Sequence, residues 1–323
     1  MSCRKTHIIL RIMWNKRNLL NTPSTGSIYA KPIKRCFQAE KGHIFCMVDY
    51  AALEDRVIAN LSGDKNKCSI FLDGIDGHCL NSYYYFKEDI EKILPRLNNE
   101  DLTSYIKRYK YEVDNGNKKL KAIRQMSKKV TFGLSYGAYP KKVSKELKSS
   151  IEYAEQIFNR YHNELYPDIT KMREAILNKA SKEGRIHLGL GCYLNTDDPE
   201  RDIRTIANAC CQFWSILSLL TINKISSLAK EAGLQNDIEI VSSIYDSIYF
   251  HVTEDVDVIK WLNDNLIPIM TKDFLKNTIV HNEAELECGY NWSDTVSIPN
   301  NASEEVIYEA MTKAKKLMDK TKD

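Results

Sequence analysis

Two aspartates stand where the apolar pattern of the chain stops. Asp49 ends the run of residues 44–48, which reads as a buried strand. Leu53, Val57, Ile58 and Leu61 follow at helical spacing, and Gly63 closes that helix. Asp246 lies between two alternating runs, Ile238, Ile240, Ser242 and Ile244 before it and Ile248, Phe250 and Val252 after it. They read as a hairpin with the acid at its tip. An acid at a strand–helix junction is most often a helix cap, and one at a hairpin tip is ordinary turn chemistry. The flanks are apolar, however, so both acids belong to the core sheet. Carboxylates from two strands of one sheet could hold two Mg2+ ions about 4 Å apart. One ion would lower the pKa of an attacking hydroxyl and the other would neutralise leaving phosphates. Oxygen-only ligands suit Mg2+, with Mn2+ as a substitute. Spacing alone does not pair the two residues, which lie far apart in the chain.

A basic segment adds a third element. Arg124, Lys128, Phe132 and Tyr136 recur in steps of four. Such steps drift by about 40° on an α-helix, so the first three share a face. Arg and Lys there would grip a triphosphate, and the ring would stack on a sugar or base. A helix with lysines in water and Phe132 in the core fits the same spacing. Residues 107–148 carry 13 Lys and Arg against 3 Asp and Glu. The chain's net charge is only +3, so a concentrated basic segment sits in a mildly acidic remainder. An anionic ligand or a solvated lysine-rich helix would each account for it.

The elements that must position these residues follow from pattern. The first forty residues read as irregular, with turn signals at Asn21-Thr22-Pro23-Ser24 and Lys31-Pro32. A loop rich in Gly and Asp covers residues 73–77. Residues 78–179 read as mostly helical, interrupted at Pro95, near Asn115-Gly116, at Pro140 and at Pro167. Residues 184–195 read as a turn-rich hairpin and 203–232 as a long helix. Leu286 and Cys288 suggest a strand before Gly289. Ser303 caps a final helix with Ile307, Ala310, Met311, Ala314, Leu317 and Met318 on one face. The 323 residues, 43% hydrophobic and 28% charged, suit one large domain or two modest ones. No apolar run reaches the roughly 18 residues that span a bilayer, and the start does not read as a signal peptide. Nine cysteines without a C-x-x-C pair favour free thiols in a reducing compartment, so the expectation is cytoplasmic and without zinc.

Three stretches together resemble family A DNA polymerases. Asp49-Tyr50-Ala51-Ala52-Leu53-Glu54-Asp55-Arg56, with a helix ending at Gly63-Asp64, is similar to the family's motif A. Arg124, Lys128, Phe132, Gly133, Tyr136 and Gly137 match the six fixed positions of motif B. Ile244-Tyr245-Asp246-Ser247 sits where motif C has V-H-D-E. Weaker similarities are the stretch from Arg11 through Asn18, Leu19, Asn21 and Pro23, then Asp76-Gly77-His78, then Arg204, Asn208 and Gln212, and Gly289-Tyr290-Asn291-Trp292.

The resemblance implies an α+β fold of the right-hand type, an antiparallel palm sheet with a helical fingers insertion. It implies residues 1–67 as an N-terminal palm part with a thumb-base remnant, 68–180 as fingers, 181–300 as the rest of the palm and 301–323 as a helical tail. Thumb and exonuclease would be largely absent. Asp49 and Asp246 would bind two Mg2+ ions, with the Tyr50 carbonyl adding a ligand. Glu54 would exclude a 2′-hydroxyl. His78, Arg124 and Lys128 would contact the incoming triphosphate, and Lys128 would protonate pyrophosphate. Phe132 would pack on the sugar and base, and Tyr136 and Gly137 would shape the template side. Arg11, Asn208 and Gln212 would touch the primer-template minor groove, with Tyr245 at the primer end. The implied partners are primer-template DNA and deoxynucleoside triphosphates, with no membrane, together with a polypeptide supplying the N-terminal part.

Motif C departs from the family at Tyr245, in place of His, and at Ser247, in place of Glu. A third carboxylate is therefore in doubt there. Two other readings stay open: a DNA-binding relic without catalysis, and a subunit active only with an N-terminal partner. Glu54 disfavours an RNA polymerase of related fold, because it fills the space a ribose would need. The spacing and the Asn18-Leu19-Leu20-Asn21-Thr22-Pro23-Ser24 run lean toward a viral origin.

Overall fold

The computed structural model describes residues 27–135, 137–196, 198 and 203–320, the side chains of 203–207 excepted. Arg11, Tyr136, the Asn18 to Pro23 stretch and the Arg204 side chain therefore lie outside the described residues.

The elements run α1 (Ala30–Arg35), β1 (His43–Tyr50), α2 (Leu53–Ser62), α3 (Lys65–Leu72), α4 (Gly77–Ile93), α5 (Leu102–Asp114), α6 (Lys118–Ser135), α7 (Pro140–Leu147) and α8 (Ile151–Asn159). A π-helical turn (Arg160–Leu165), α9 (Pro167–Glu183), β2 (Arg185–Gly189), β3 (Cys192–Asn195), α10 (Ile203–Gln212) and a 3-10 turn (Phe213–Ser215) come next. Then follow α11 (Ile216–Glu231), β4 (Ile238–Ile244), β5 (Ser247–Thr253), α12 (Val256–Met270), β6 (Ala284–Gly289), β7 (Thr295–Ile298) and α13 (Glu304–Asp319). The architecture is α+β, with antiparallel strands.

Two compact units divide these elements. Of the described residues, the first takes 27–53, 215–273 and 282–320; the second takes the rest, within 54–214 and 274–281. In the first, five strands form one sheet in the order β4-β5-β1-β6-β7, with β1 in its centre. Side chains alternate across a strand, so one face of β1 is Ile44, Cys46, Val48 and Tyr50, all at most 1% exposed. Register sets Phe250 and Cys288 beside Cys46, and Ile248 and Leu286 beside Val48. All four of these neighbours are fully buried. Each aliphatic side chain removed from water this way contributes about 2 kcal/mol. Helices α11, α12 and α13 pack onto this unit's strands. The same alternation puts Asp49 on the opposite face, in register with Ser247 on β5 and Glu285 on β6.

The second unit is helical apart from the β2–β3 hairpin. Asp64, Asp76 and Asp101 cap α3, α4 and α5 by accepting from Lys67, Cys79 and Ser104 N–H groups. Buried Tyr105, Tyr109 and Tyr166 place rings in the core while their hydroxyls donate to the Leu94 carbonyl, the Leu120 carbonyl and Asn81 Oδ1. Helix α4 packs along α6 and kinks at Phe86, where φ is −128°.

Three sequence expectations change. Residues 30–35, read as irregular, form a short helix. Pro32 lies in its first turn, where the missing N–H would have no helical partner anyway. The long helix read over 203–232 is broken by the 3-10 turn at 213–215. The helical stretch has a further break at Lys148, which is left-handed with φ +51°. Among the described residues no helix is long and apolar enough to cross a membrane.

Candidate active site

The carboxylate site is built by three strands of the first unit. Asp49 is the last but one residue of β1, exposed, with its neighbour Tyr50 turned into the core. The Tyr50 hydroxyl lies 3.2 Å from Thr221 Oγ1. Strands β4 and β5 turn through Tyr245 and Asp246 alone. Tyr245 takes φ +55° and is 69% exposed. Ser247 follows, and its Oγ donates to Asp49 Oδ1 at 2.8 Å. Although Asp49 is exposed, surrounding protein raises its carboxyl pKa by desolvation, against the Ser247 and Tyr50 N–H bonds that lower it. The Tyr249 phenol is raised first by burial and then by the charges of both Asp49 and Asp246. The two acids therefore act on one neighbourhood.

Pattern reasoning on single residues overlooked Glu285. It sits opposite Asp49 on the side away from Ser247 and accepts a hydrogen bond from Ser297 Oγ. The signal was present: Leu286 and Cys288 as core residues of a strand put Glu285 on the other face. Among the described residues no group of three or more His, Cys, Asp or Glu side chains is close enough to hold a metal. The donors that Asp49, Asp246 and Ser247 offer are all oxygens, which fits Mg2+ rather than a thiophilic metal.

The basic face belongs to the second unit and is built by α4 and α6. Arg124 donates through Nε and Nη2 to Asp76 Oδ1 and Oδ2, at 3.0 and 2.7 Å. Asp76 also accepts from the Cys79 N–H at 2.7 Å, so one carboxylate caps α4 and clamps α6. Burial pushes the Asp76 pKa up, but the Arg124 and Cys79 bonds outweigh it and the net shift is downward. The His78 pKa is lowered by burial and by the positive charges of Arg124 and Lys128, so its ring is neutral at pH 7. Its Nδ1 is buried without a hydrogen-bond partner. Lys128 is exposed, and Phe132 is 66% exposed, which overturns the alternative that buries Phe132 in core. Lys128, Lys129, Phe132, Gly133, Ala138 and Lys142 line a groove of about 540 Å³ between α6 and α7. Gly137 takes φ +77°, a conformation that favours glycine.

The remaining predicted residues of this unit are separately placed. Glu54 is half-buried in the first turn of α2. Asp55, which follows Glu54, pairs with Lys67 at 2.7 Å. Arg56 is 6% exposed, donates to the His281 carbonyl at 2.6 Å and sits over the Phe71 ring at 4.5 Å. Asn208 is buried, with Oδ1 3.4 Å from Arg173 Nη2, and Gln212 is exposed at the end of α10.

With this geometry in place, the chain compares with known proteins as follows. A sequence model of DNA polymerase family A matches residues 9–294. The DNA polymerase of Mycobacterium phage D29 is 30% identical over 165 residues, 51% of this chain and 23% of that protein. The thermostable DNA polymerase I of Thermus aquaticus is 25% identical over 199 residues, 62% of this chain and 21% of that protein. The solved POL domain of Pol1 from M. smegmatis, in complex with DNA primer-template and dNTP, superposes with a TM-score of 0.65 at 20% identity. It covers 85% of this chain and 44% of that one. The chain thus spans less than half the length of each of these relatives.

Proposed function

This chain belongs to DNA polymerase family A, and from that premise we propose that it catalyses template-directed DNA synthesis on a primer. The observation that carries the proposal is the carboxylate arrangement: Asp49 on β1 is tied at 2.8 Å to Ser247, the residue after Asp246. In the reaction a primer 3′-oxygen attacks the α-phosphorus of a deoxynucleoside triphosphate. A P–O bond to the α-phosphorus forms, the α–β bridge breaks, and pyrophosphate leaves with the bridging oxygen.

Asp49 and Asp246 would hold two Mg2+ ions, with the Tyr50 carbonyl as a further oxygen ligand. When bound, Mg2+ supplies Lewis-acid charge at the attacking and leaving oxygens. The protein's own residues do the positioning. Lys128, exposed on α6, binds the triphosphate and passes a proton to the departing pyrophosphate. Arg124 joins it after exchanging Asp76 for phosphate oxygens, and neutral His78 donates a hydrogen bond rather than a charge. Phe132 offers its exposed ring to the sugar and base. Glu54 closes the space a 2′-hydroxyl would need. Tyr136 and Gly137 shape the template side, while Arg11, Asn208, Gln212 and Tyr245 contact the primer-template. Minor-groove acceptors lie in similar places for every base pair, so contacts there check pair shape without reading sequence. The division into residues 1–67, 68–180, 181–300 and 301–323 is part of this proposal, as is a partner polypeptide for the N-terminal part.

The test is single-nucleotide extension of a labelled primer-template with Mg2+, beside Asp49→Ala and Asp246→Ala. Extension by the natural chain that both variants lose is the expected result. Extension surviving in either variant sinks the metal assignment. DNA binding without extension favours the relic, which the departures at Tyr245 and Ser247 motivate, unless adding the N-terminal polypeptide restores activity.

A further inference from the structure

We propose that Ser247 is a positioning residue for Asp49, fixing one carboxylate oxygen so that the other faces the metal ions with Asp246. The inference rests on the metal-binding reading of those two acids and names how the site works without an acid at 247. Three observations carry it. Register places two side chains beside Asp49 on the open face of the sheet, Ser247 on β5 and Glu285 on β6. Of these two only Ser247 can donate a hydrogen bond to a carboxylate, and it does so at 2.8 Å to Oδ1. Glu285 is itself held by Ser297 Oγ. Finally, Ser247 opens β5 directly after Asp246, so the short β4–β5 turn fixes the acid beside the donor.

The physical consequence is a choice of rotamer. An exposed Asp at a strand end samples several χ1 and χ2 states in water. A single O–H···O bond of this length selects one, and preorganising a ligand raises metal affinity without adding charge. A glutamate at 247 would add an anionic ligand; a serine instead orders the ligand already present. The site then carries less negative charge and depends more on the geometry of Asp49.

The test uses the full chain and its Ser247→Ala, Ser247→Thr and Asp49→Ala variants. Mn2+ binding is read from loss of the free-ion electron paramagnetic resonance signal. The Mg2+ dependence of primer extension is read alongside. Ser247→Ala is expected to weaken Mn2+ binding about 10-fold and to raise the Mg2+ needed for half-maximal extension by a similar factor. Its KM for dNTP at saturating Mg2+ should not change. Ser247→Thr keeps the hydroxyl on a residue that suits a strand, so it should recover both. Mn2+ binding by Ser247→Ala equal to that of the natural chain, or no recovery in Ser247→Thr, overturns the proposal. If Asp49→Ala binds Mn2+ unchanged, the metal-binding reading falls and this inference with it. If the Ser247 series shows the expected Mn2+ binding while the natural chain extends no primer, only the polymerase reading falls.

Discussion

At the residue scale the chemistry turns on what each charged group is already bonded to. Arg124 is not held waiting in solvent. It is clamped by Asp76, with both side chains under a fifth exposed. Removing the acid charge by Asp76→Asn should destabilise the chain by about 2 kcal/mol, since hydrogen bonds to charged groups contribute about 1.5–3 kcal/mol. It should also raise the KM for dNTP through loss of the Arg124 pose. A denaturation curve and a KM measurement check the two parts, and an unchanged midpoint would show that the clamp is energetically idle. Glu54 makes a different prediction. If Glu54 is the sugar gate proposed above, Glu54→Ala should raise ribonucleotide incorporation at least 10-fold, the order expected when a steric clash of about 1.4 kcal/mol is relieved. Competition between matched ribo- and deoxynucleotides measures it, and an unchanged ratio removes Glu54 as the gate.

At the element scale, much of the site was readable because apolar period and acid position coincide. Period-two runs on both sides of Asp246 gave the β4–β5 hairpin, and the apolar run before Asp49 gave β1. What could not be read was register. Nothing in the linear sequence says that Ser247 and Glu285 flank Asp49, or that Asp76 meets Arg124 48 residues on. Those pairings depend on long-range packing that single-residue preferences do not encode. The helix at 30–35 is not legible because Lys31-Pro32 reads as a turn signal, although proline is tolerated in a first helical turn. The β2–β3 hairpin shows one glycine required by packing as well as by backbone. A Cβ on Gly189 would lie 2.8 Å from the Trp214 ring, and its φ is +137°. Gly191 has φ +76° but open space around it. Gly189→Ala should therefore cost about 3 kcal/mol, combining overpacking with backbone strain. Gly191→Ala should cost about 1 kcal/mol. Equal melting temperatures for the two variants would contradict the close approach to Trp214.

At the scale of the whole molecule, acid should weaken the protein in two separate windows. His162, half-buried with Nδ1 2.9 Å from Thr170 Oγ1, has its pKa lowered to about 4, by burial first and by Arg173 second. An unfolded histidine titrates near 6.5. Between those values the unfolded chain takes up a proton that the folded chain refuses, so stability falls as pH drops from about 6.5 to about 4 and this contribution then levels off. Allowing for partial exposure, the loss is on the order of 2 kcal/mol. Asp76 and Asp294 act lower. Burial pushes Asp76 up but its bonds to Arg124 and the Cys79 N–H win, and Asp294 is pulled down first by its bonds to Arg35, also against burial. Their contribution is present above the unfolded aspartate value of about 3.9 and is lost as pH falls through their depressed folded values. Replacing His162 by Gln keeps a hydrogen-bonding side chain but removes the titration. Urea midpoints measured from pH 7 to pH 3 should then fall less between about pH 6.5 and 4.5 in His162→Gln than in the natural chain; the fall that remains there comes from His78, whose folded pKa burial also lowers. The steep fall below pH 4 should remain in both. If the two curves keep the same slope between pH 6.5 and 4.5, the early acid sensitivity does not come from the His162 imidazole.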